Sequence, residues 1–308
     1  MNLLITGGAG YIGTELVYQL AHEEKVDKVF IYDNLSRKNF NLFFHTNLPN
    51  DKISFIEGDL LDSRKLKNVL KDVDTVIHLA AKVTTPFASQ DPHFFEQVNH
   101  WGTAELVYAI EESNVQHLMY VSSTSVYGAM DEIVEEDRIP QPKTYYGISK
   151  MRGEEHVNRL KDKLKTHIIR LGNVYGYSPS MRFDAVINRF ILEANFKNRI
   201  SIDGNGKQHR AFIHVNKVVN GLSQVLENPI PSGTYHLVDK NLSVLDIAFT
   251  LEALYPSLEK LFINQHLTLK ELKVNPNSTL LDYITIPESD FQAELADFKH
   301  HFSFHPFA

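Results

Sequence analysis

Short apolar runs alternate with longer amphipathic stretches along most of the chain. Residues 2–6, 30–32, 53–56, 75–79, 118–121 and 167–171 are runs of strand length, mostly apolar throughout. Continuous rather than alternating apolar residues mean strands buried on both faces, as in a parallel sheet. Helical segments fall between them, at 14–20, at 91–113 and around Tyr146 to Lys150. Residues 91–113 read as one long helix with Phe94, Phe95, Val98, Trp101, Leu106, Val107 and Ile110 on a wide apolar face. Asn99 lies within that face and needs a hydrogen-bond partner, for which the neighbouring strand backbone is the natural candidate. His78, inside an apolar strand, reads as a packed core histidine. The second half continues with strands at 200–202, 211–213 and 233–237 and helices at 181–195, 216–226 and 243–254. Ser243 is placed to cap the last of these. Strands alternating with helices predict an α/β fold of Rossmann type, a doubly wound parallel sheet with a smaller C-terminal α/β region.

The first strand runs straight into Gly7-Gly8-Ala9-Gly10-Tyr11-Ile12-Gly13 and then a helix. Gly7 permits a tight turn, Gly10 lets the backbone approach a pyrophosphate, and Gly13 lets helix and strand pack closely. The helix N-terminus offers N–H groups and partial positive charge to phosphates. The second strand ends in Asp33, twenty residues after Gly13. An acid there accepts hydrogen bonds from an adenosine ribose and repels a 2′-phosphate, which favours NAD over NADP. Asp59 ends the third strand and is placed to reach an adenine amino group, with Leu60 against the ring. Its competing role is a helix N-cap, for which Asp62 also qualifies. Ala80 and Ala81 leave room for the dinucleotide backbone. These readings divide the chain into an NAD-binding domain at 1–172, its sheet completed from within 208–240, and a substrate-binding region at 173–207 and 228–308.

Composition narrows the classes. The 308 residues are 43% hydrophobic and 22% charged, ordinary for a globular protein. A net charge of -7 argues against a nucleic-acid partner. The absence of cysteine excludes disulfides, thiolate metal sites and a cysteine nucleophile, and fits a reducing, cytoplasmic setting. No apolar run approaches the ~20 residues of a membrane span, and a first strand that begins at residue 2 leaves no signal peptide to remove.

A hydroxyl cluster, Ser122-Ser123-Thr124-Ser125, stands at the end of the fifth strand, where chemistry is done in this architecture. Tyr146 and Lys150 share one helix face at i, i+4. A lysine ammonium beside a phenol favours the phenolate and moves it toward a working general base. Arg182, read on the 181–195 helix, is a candidate phosphate ligand, as is Arg210. The tail holds His300, His301, Phe302, Phe304, His305 and Phe307, and a packed C-terminal helix or flap is favoured there over a metal site.

These residues resemble the extended short-chain dehydrogenase/reductases, specifically the nucleotide-sugar epimerase/dehydratase group typified by UDP-glucose/galactose 4-epimerases. Matching stretches are Thr6 to Gly13, Asp33-Asn34-Leu35, Gly58-Asp59-Leu60, His78 to Ala81, Asn99 with Gly102-Thr103, Ser122 to Gly128, Tyr146 to Lys150, Arg170 to Gly176 and Arg210 to Val215. The resemblance implies an NAD contacted by Gly7, Gly10, Tyr11, Ile12, Gly13, Asp33, Asn34, Asp59, Leu60, Leu79, Ala80, Ala81, Asn99, Tyr146 and Lys150. It implies that Tyr146 takes the proton of a sugar 4-hydroxyl while hydride leaves C4, with Ser123 as the catalytic hydroxyl and Thr124 as the fallback. Asn173 and Arg210 would touch the nucleotide diphosphate. Family dehydratases resemble Asp-Glu at the two positions after the catalytic hydroxyl. Here these are Thr124 and Ser125, which disfavours water elimination and points to a C4 epimerase. A nucleotide-4-ketosugar reductase is the alternative within the family, and a non-catalytic dinucleotide sensor the alternative outside it. The family's late phosphate-binding arginine is missing, since no arginine follows Arg210; Lys270 or Lys273 is its candidate replacement. Sugar specificity is expected around Thr84, Thr85, Pro86, Phe87, Asn173 and Tyr177, and a homodimer through the helices that begin near Asp91 and Tyr145.

Overall fold

The computed structural model of the chain describes residues 1–44, 48–83, 92–264 and 271–304. Along the chain, β1 (Asn2–Thr6), α1 (Tyr11–Ala21), β2 (Lys28–Asp33), β3 (Ile53–Glu57), α2 (Ser63–Val69) and β4 (Thr75–His78) come first. α3 (Pro92–Phe95), a wide π-helical turn over Glu96–Trp101, α4 (Gly102–Glu111), β5 (His117–Ser123), β6 (Ile133–Val134), α5 (Tyr145–Asn158) and β7 (Lys165–Leu171) follow. The remainder comprises β8 (Asn173–Tyr175), α6 (Val186–Lys197), β9 (Arg199–Asp203), β10 (His209–His214), α7 (Val215–Glu227), β11 (Gly233–Leu237), β12 (Lys240–Ser243) and α8 (Val244–Leu254). The last elements are β13 (Glu259–Ile263), β14 (Lys273–Val274) and α9 (Phe291–His300).

The apolar runs form one seven-stranded sheet in the order β11-β7-β5-β4-β1-β2-β3, parallel at every pairing. Its central strands are buried on both faces, as their composition requires, while the edge strand β3 is only half-buried. On one face Ile5, Ile77 and Met119 pack with Leu16 and Val17 of α1 and Val218 and Leu222 of α7. On the other, Leu4, Val76 and Leu118 pack with Leu66 of α2, Val107 of α4 and Val157 of α5. Each such side chain, fully buried, contributes roughly 1.5–3 kcal/mol. The order reverses between β1 and β4, so a crevice opens at their carboxyl ends, where a doubly wound sheet binds its ligand. The segment 208–240 gives this sheet β11, while β10 joins a three-stranded sheet with β8 and β12. A separate core of α6, α8, α9, β9 and β10 includes Phe190, Ile202, Phe212, Leu251 and Phe298.

Two helix readings change. The stretch read as one helix at 91–113 is α3, the π turn and α4; its first residue, Asp91, lies outside the described residues. The wider turn rotates the face, so Phe94 and Trp101, expected in the core, are each 52% exposed. The helix expected at 181–195 begins only at Val186. Arg182 therefore sits in the loop before it. Its guanidinium grips Asp184 through Nε at 3.1 Å and Nη2 at 2.6 Å, a pairing that i, i+2 neighbours on a helix cannot make. Ser243 does cap α8, in a reciprocal capping box with Asp246. The tail packs as α9 as far as His300, with Leu295 and Phe298 buried, and His305 and Phe307 lie outside the described residues. Among the described residues no helix is long and apolar enough to cross a membrane, and no three His, Asp or Glu residues are grouped to hold a metal ion.

Candidate active site

The crevice between β1 and β4 is shaped by glycines that no other residue replaces. Gly7 has φ +72°, and a Cβ on it would lie 2.6 Å from the Ala80 backbone nitrogen. A Cβ on Gly13 would lie 2.4 Å from the Gly7 carbonyl oxygen. Gly10 closes the turn by donating to Gly7 O at 3.0 Å and is the N-cap of α1, with no side chain capping it. A helix start left uncapped beside close-packed glycines is a cradle for an anionic group such as a pyrophosphate. Asp33 accepts from Ala9 N at 3.1 Å and Leu35 N at 2.8 Å. Burial pushes its carboxyl up, and these two N–H groups oppose that. Asn34 donates to Asp59 at 3.0 Å, and Leu60 is buried beside Gly102. Asp33, Asn34, Asp59 and Leu60 thus meet at the ends of β2 and β3. The cap of α2 is Asp62, which accepts from Lys65 N at 3.0 Å, so Asp59 is not the cap.

Four expected cofactor residues, Tyr11, Leu79, Ala80 and Asn99, and the core histidine His78 hold the walls of the crevice. His78 bridges Thr6 at 2.7 Å and Thr103 at 2.9 Å; burial pushes its imidazole down to about 3, so it stays neutral. Leu79 and Ala80 follow directly, with Ala80 N donating to Thr6 at 3.3 Å. Asn99 accepts from Lys82 N at 2.7 Å and donates to Lys82 O at 2.9 Å and Ser149 Oγ at 3.0 Å. Its partner is therefore the backbone just beyond β4, and the π turn is what aims it there. Tyr11 donates its hydroxyl to Gly176 O at 2.5 Å and accepts from Asn188 at 3.3 Å. That ties the glycine turn to the second core and leaves Tyr11, like Ile12, to face the crevice through its backbone.

At the end of β5, Ser123 has an extended backbone and donates to Ser125 Oγ at 3.1 Å. Thr124 is buried. Opposite, Thr144 caps α5 by accepting from Gly147 N at 3.1 Å, which fixes the turn that carries Tyr146. The Ser123 side chain is near enough to the Tyr146 phenol to favour its ionised form. Lys150 is buried. Its ammonium donates to Val121 O at 2.7 Å and lies 4.2 Å from the centre of the Tyr120 ring. Burial brings it down to about 7, with the Glu154 carboxylate pulling the other way. The Tyr146 phenol is raised by burial, and the groups that oppose the rise are Ser123 and the Arg182 charge. Lys150 follows one helical turn later, its ammonium anchored on the β5 backbone.

The substrate-side residues converge less tightly. Asn173 is exposed at the start of β8, and its amide donates to Ala211 O at 2.9 Å. Arg182 projects its charge toward Tyr146 and Tyr11 while paired to Asp184, with Arg37 3.9 Å from the same carboxylate. Arg210 is half-buried and donates to His209 O at 2.8 Å. Lys273 pairs with Glu271 at 3.4 Å. Lys270 and Thr84 to Phe87 lie outside the described residues. Tyr177 stacks on His301 at 3.7 Å and lines a separate cleft of about 300 Å³ with Glu15, Tyr18 and His214. A buried Glu154–Arg170 pair behind Ser123 escaped the sequence reading. Its signals were an arginine inside an apolar strand and a glutamate four residues after Lys150.

Residues 3–238 match the sequence profile of the NAD dependent epimerase/dehydratase family. An uncharacterized UDP-glucose epimerase of Bacillus subtilis (strain 168) is 30% identical over 251 residues, spanning 79% of this chain and 76% of its own. The dTDP-D-glucose 4,6-dehydratase of Mus musculus is 32% identical over 258 residues, spanning 80% and 71%. Among solved structures, UDP-glucuronic acid 4-epimerase from Bacillus cereus, in complex with UDP-glucuronic acid and NAD, superposes with a TM-score of 0.84. It is 25% identical and covers 98% of both chains.

Proposed function

Because the chain belongs to the NAD dependent epimerase/dehydratase family, we propose that it inverts C4 of a nucleotide hexose. The observation that carries this reading is the row of hydroxyls at the end of β5. Ser123 stands at Tyr146, and the next two residues are Thr124 and Ser125 rather than carboxylic acids. Tyr146 is the group to take and return the proton of the sugar 4-hydroxyl, and Ser123 orients both oxygens. Eliminating water requires an acid and a base of suitable strength, which threonine and serine hydroxyls do not provide. NAD, the cofactor of the family, supplies the hydride acceptor and donor at C4. The glycine turn, Asp33, Asn34, Asp59 and Leu60 would hold its adenosine and pyrophosphate, with Leu79, Ala80 and Ala81 along the crevice floor. Lys150 contributes a buried positive charge beneath the site. Arg182, whose charge reaches Tyr146, is placed to hold an anionic part of the substrate, and Asn173 and Arg210 line the diphosphate side. We further place the working protein in the cytoplasm as a homodimer, joined through the α3–α4 segment and α5.

The test is mass spectrometry of what the purified protein releases on denaturation, followed by incubation with nucleotide hexoses. Retained NAD and interconversion of C4 epimers are expected. A product lighter by one water would replace the reading with a dehydratase. Stoichiometric consumption of added NADH by a 4-keto sugar would replace it with a reductase.

A further inference from the structure

Behind the Ser123–Tyr146 pair runs a buried chain of hydrogen bonds that the proposed chemistry does not use. Glu154 lies one helical turn beyond Lys150 on α5 and is 4% exposed. Its carboxylate accepts from the Ser122 hydroxyl at 2.5 Å and from Arg170 of β7 at 3.0 Å through Nε and 2.6 Å through Nη2. The remaining arm of Arg170, Nη1, donates to the Tyr127 hydroxyl at 2.7 Å. That hydroxyl also meets His236 Nε2 of β11 at 2.5 Å. Ser122 immediately precedes Ser123, and Tyr127 closes the turn Thr124–Tyr127. Both ends of the hydroxyl-bearing turn are thereby moored to one carboxylate on the helix that presents Tyr146 and Lys150.

The charges around Lys150 make the same carboxylate matter electrostatically. From β4 it is faced by His78, which is neutral. From β5 it is faced by Tyr120, whose phenol burial keeps protonated. Tyr146 and Glu154 face it from its own helix, and Arg170 of β7 lies beyond Glu154. Of these, Glu154 is the anion that favours the ammonium against burial. Taking it away would leave Lys150 and Arg170 as two buried cations without it, a costly arrangement.

We infer that Glu154, gripped by Arg170, is a positioning residue of this site: it moors the Ser123 turn to the Tyr146 helix and supplies the counter-charge to the Lys150 ammonium. The kinetic consequence rests on the epimerase reading; the electrostatic one does not. The full chain with 13C-labelled lysine is titrated by NMR as wild type and as Glu154→Gln, with Lys150→Met to assign the signal. Loss of the carboxylate should lower the Lys150 midpoint by about half a unit or more. The alkaline limb of kcat should move the same way, and kcat at neutral pH should fall about tenfold with KM little changed. A midpoint and a limb that both stay in place, whatever the change in thermal stability, would overturn the inference. If Glu154→Gln does not fold, Glu154→Asp, with its carboxylate one methylene further back, must still lower the midpoint. Ser122→Ala, which keeps the charge, should slow kcat and leave the midpoint alone; an unchanged kcat would remove the mooring role. A shifted midpoint in a protein that turns over no nucleotide hexose would leave the clamp standing and the epimerase reading overturned.

Discussion

Tyr146 holds its proton under a balance that burial dominates. Ser123 and Arg182 oppose burial but do not reverse it, so the phenol is protonated at neutral pH and its acidity has to come from the groups facing it. Removing that hydroxyl removes the acid–base step while leaving the glycine cradle untouched. Tyr146→Phe is expected to lower kcat by roughly 10²–10⁴-fold, the usual worth of a positioned general base. Released NAD should stay at wild-type stoichiometry. Steady-state kinetics beside mass spectrometry of the denatured variant checks both; unchanged turnover with NAD still bound would remove Tyr146 from the acid–base role, and NAD bound with no turnover in the wild type would support a dinucleotide sensor. Thr124 and Ser125 act at the same scale. Two hydroxyls in place of two carboxyls are what the proposed epimerase reading rests on, in a family whose members, at about the same identity to this chain, carry both names.

Among elements, the β5–β7 pair carries a second titration. His117 and His167 meet across these strands at 2.8 Å, and His167 reaches the Ile230 and Pro231 carbonyls beyond. Burial lowers both imidazoles, His117 to about 3. The unfolded chain protonates them near ~6.5, so below that pH it binds protons the folded chain refuses. Stability contributed by the neutral pair is complete above that pH and drains away as pH falls toward the folded values. The expected slope is about 1.4 kcal/mol per pH unit for each histidine. Urea unfolding between pH 8 and pH 5 should show it, and His117→Gln should flatten it; a slope the same in the variant would remove the pair as the cause. The π turn is the other feature of this scale. It turns Asn99 onto Lys82 and swings Trp101 to solvent, a rotation the 3.6-residue period does not encode.

For the molecule as a whole, the outer face of the α3–α4 segment and α5 is the surface to explain. Phe94, Trp101, Tyr108 and Tyr145 are exposed there, beside a His100–His156 contact at 3.1 Å and a Glu96–Arg152 pair at 2.8 Å. Aromatic rings grouped on a water-facing surface mark an interaction site more than a solvated one. Sedimentation at micromolar concentration is expected to show a dimer, and Trp101→Glu to shift it toward monomer by burying a charge at the joint. Wild type sedimenting only as monomer would remove the dimer from the reading.

Local chemistry determined much of this protein from its sequence alone. Apolar runs fix strands buried on both faces, the spacing of Gly7, Gly10 and Gly13 fixes the cradle, and the i, i+4 spacing sets Tyr146 and Lys150 on one turn. Ser243 and the apolar stretch of α7 were legible for the same reason: caps and periodicity are short-range. Tertiary structure decided what depends on distant partners. Arg182 left its expected helix because Asp184 holds it in a loop, and β10 joined β8 and β12 rather than the main sheet. Lys150 turned to the β5 backbone because burial left it Val121 O to bond, and Arg170 met Glu154 across a strand and a helix sixteen residues apart. Periodicity sees neighbours along the chain; burial and ion pairing act between segments that only the fold brings together.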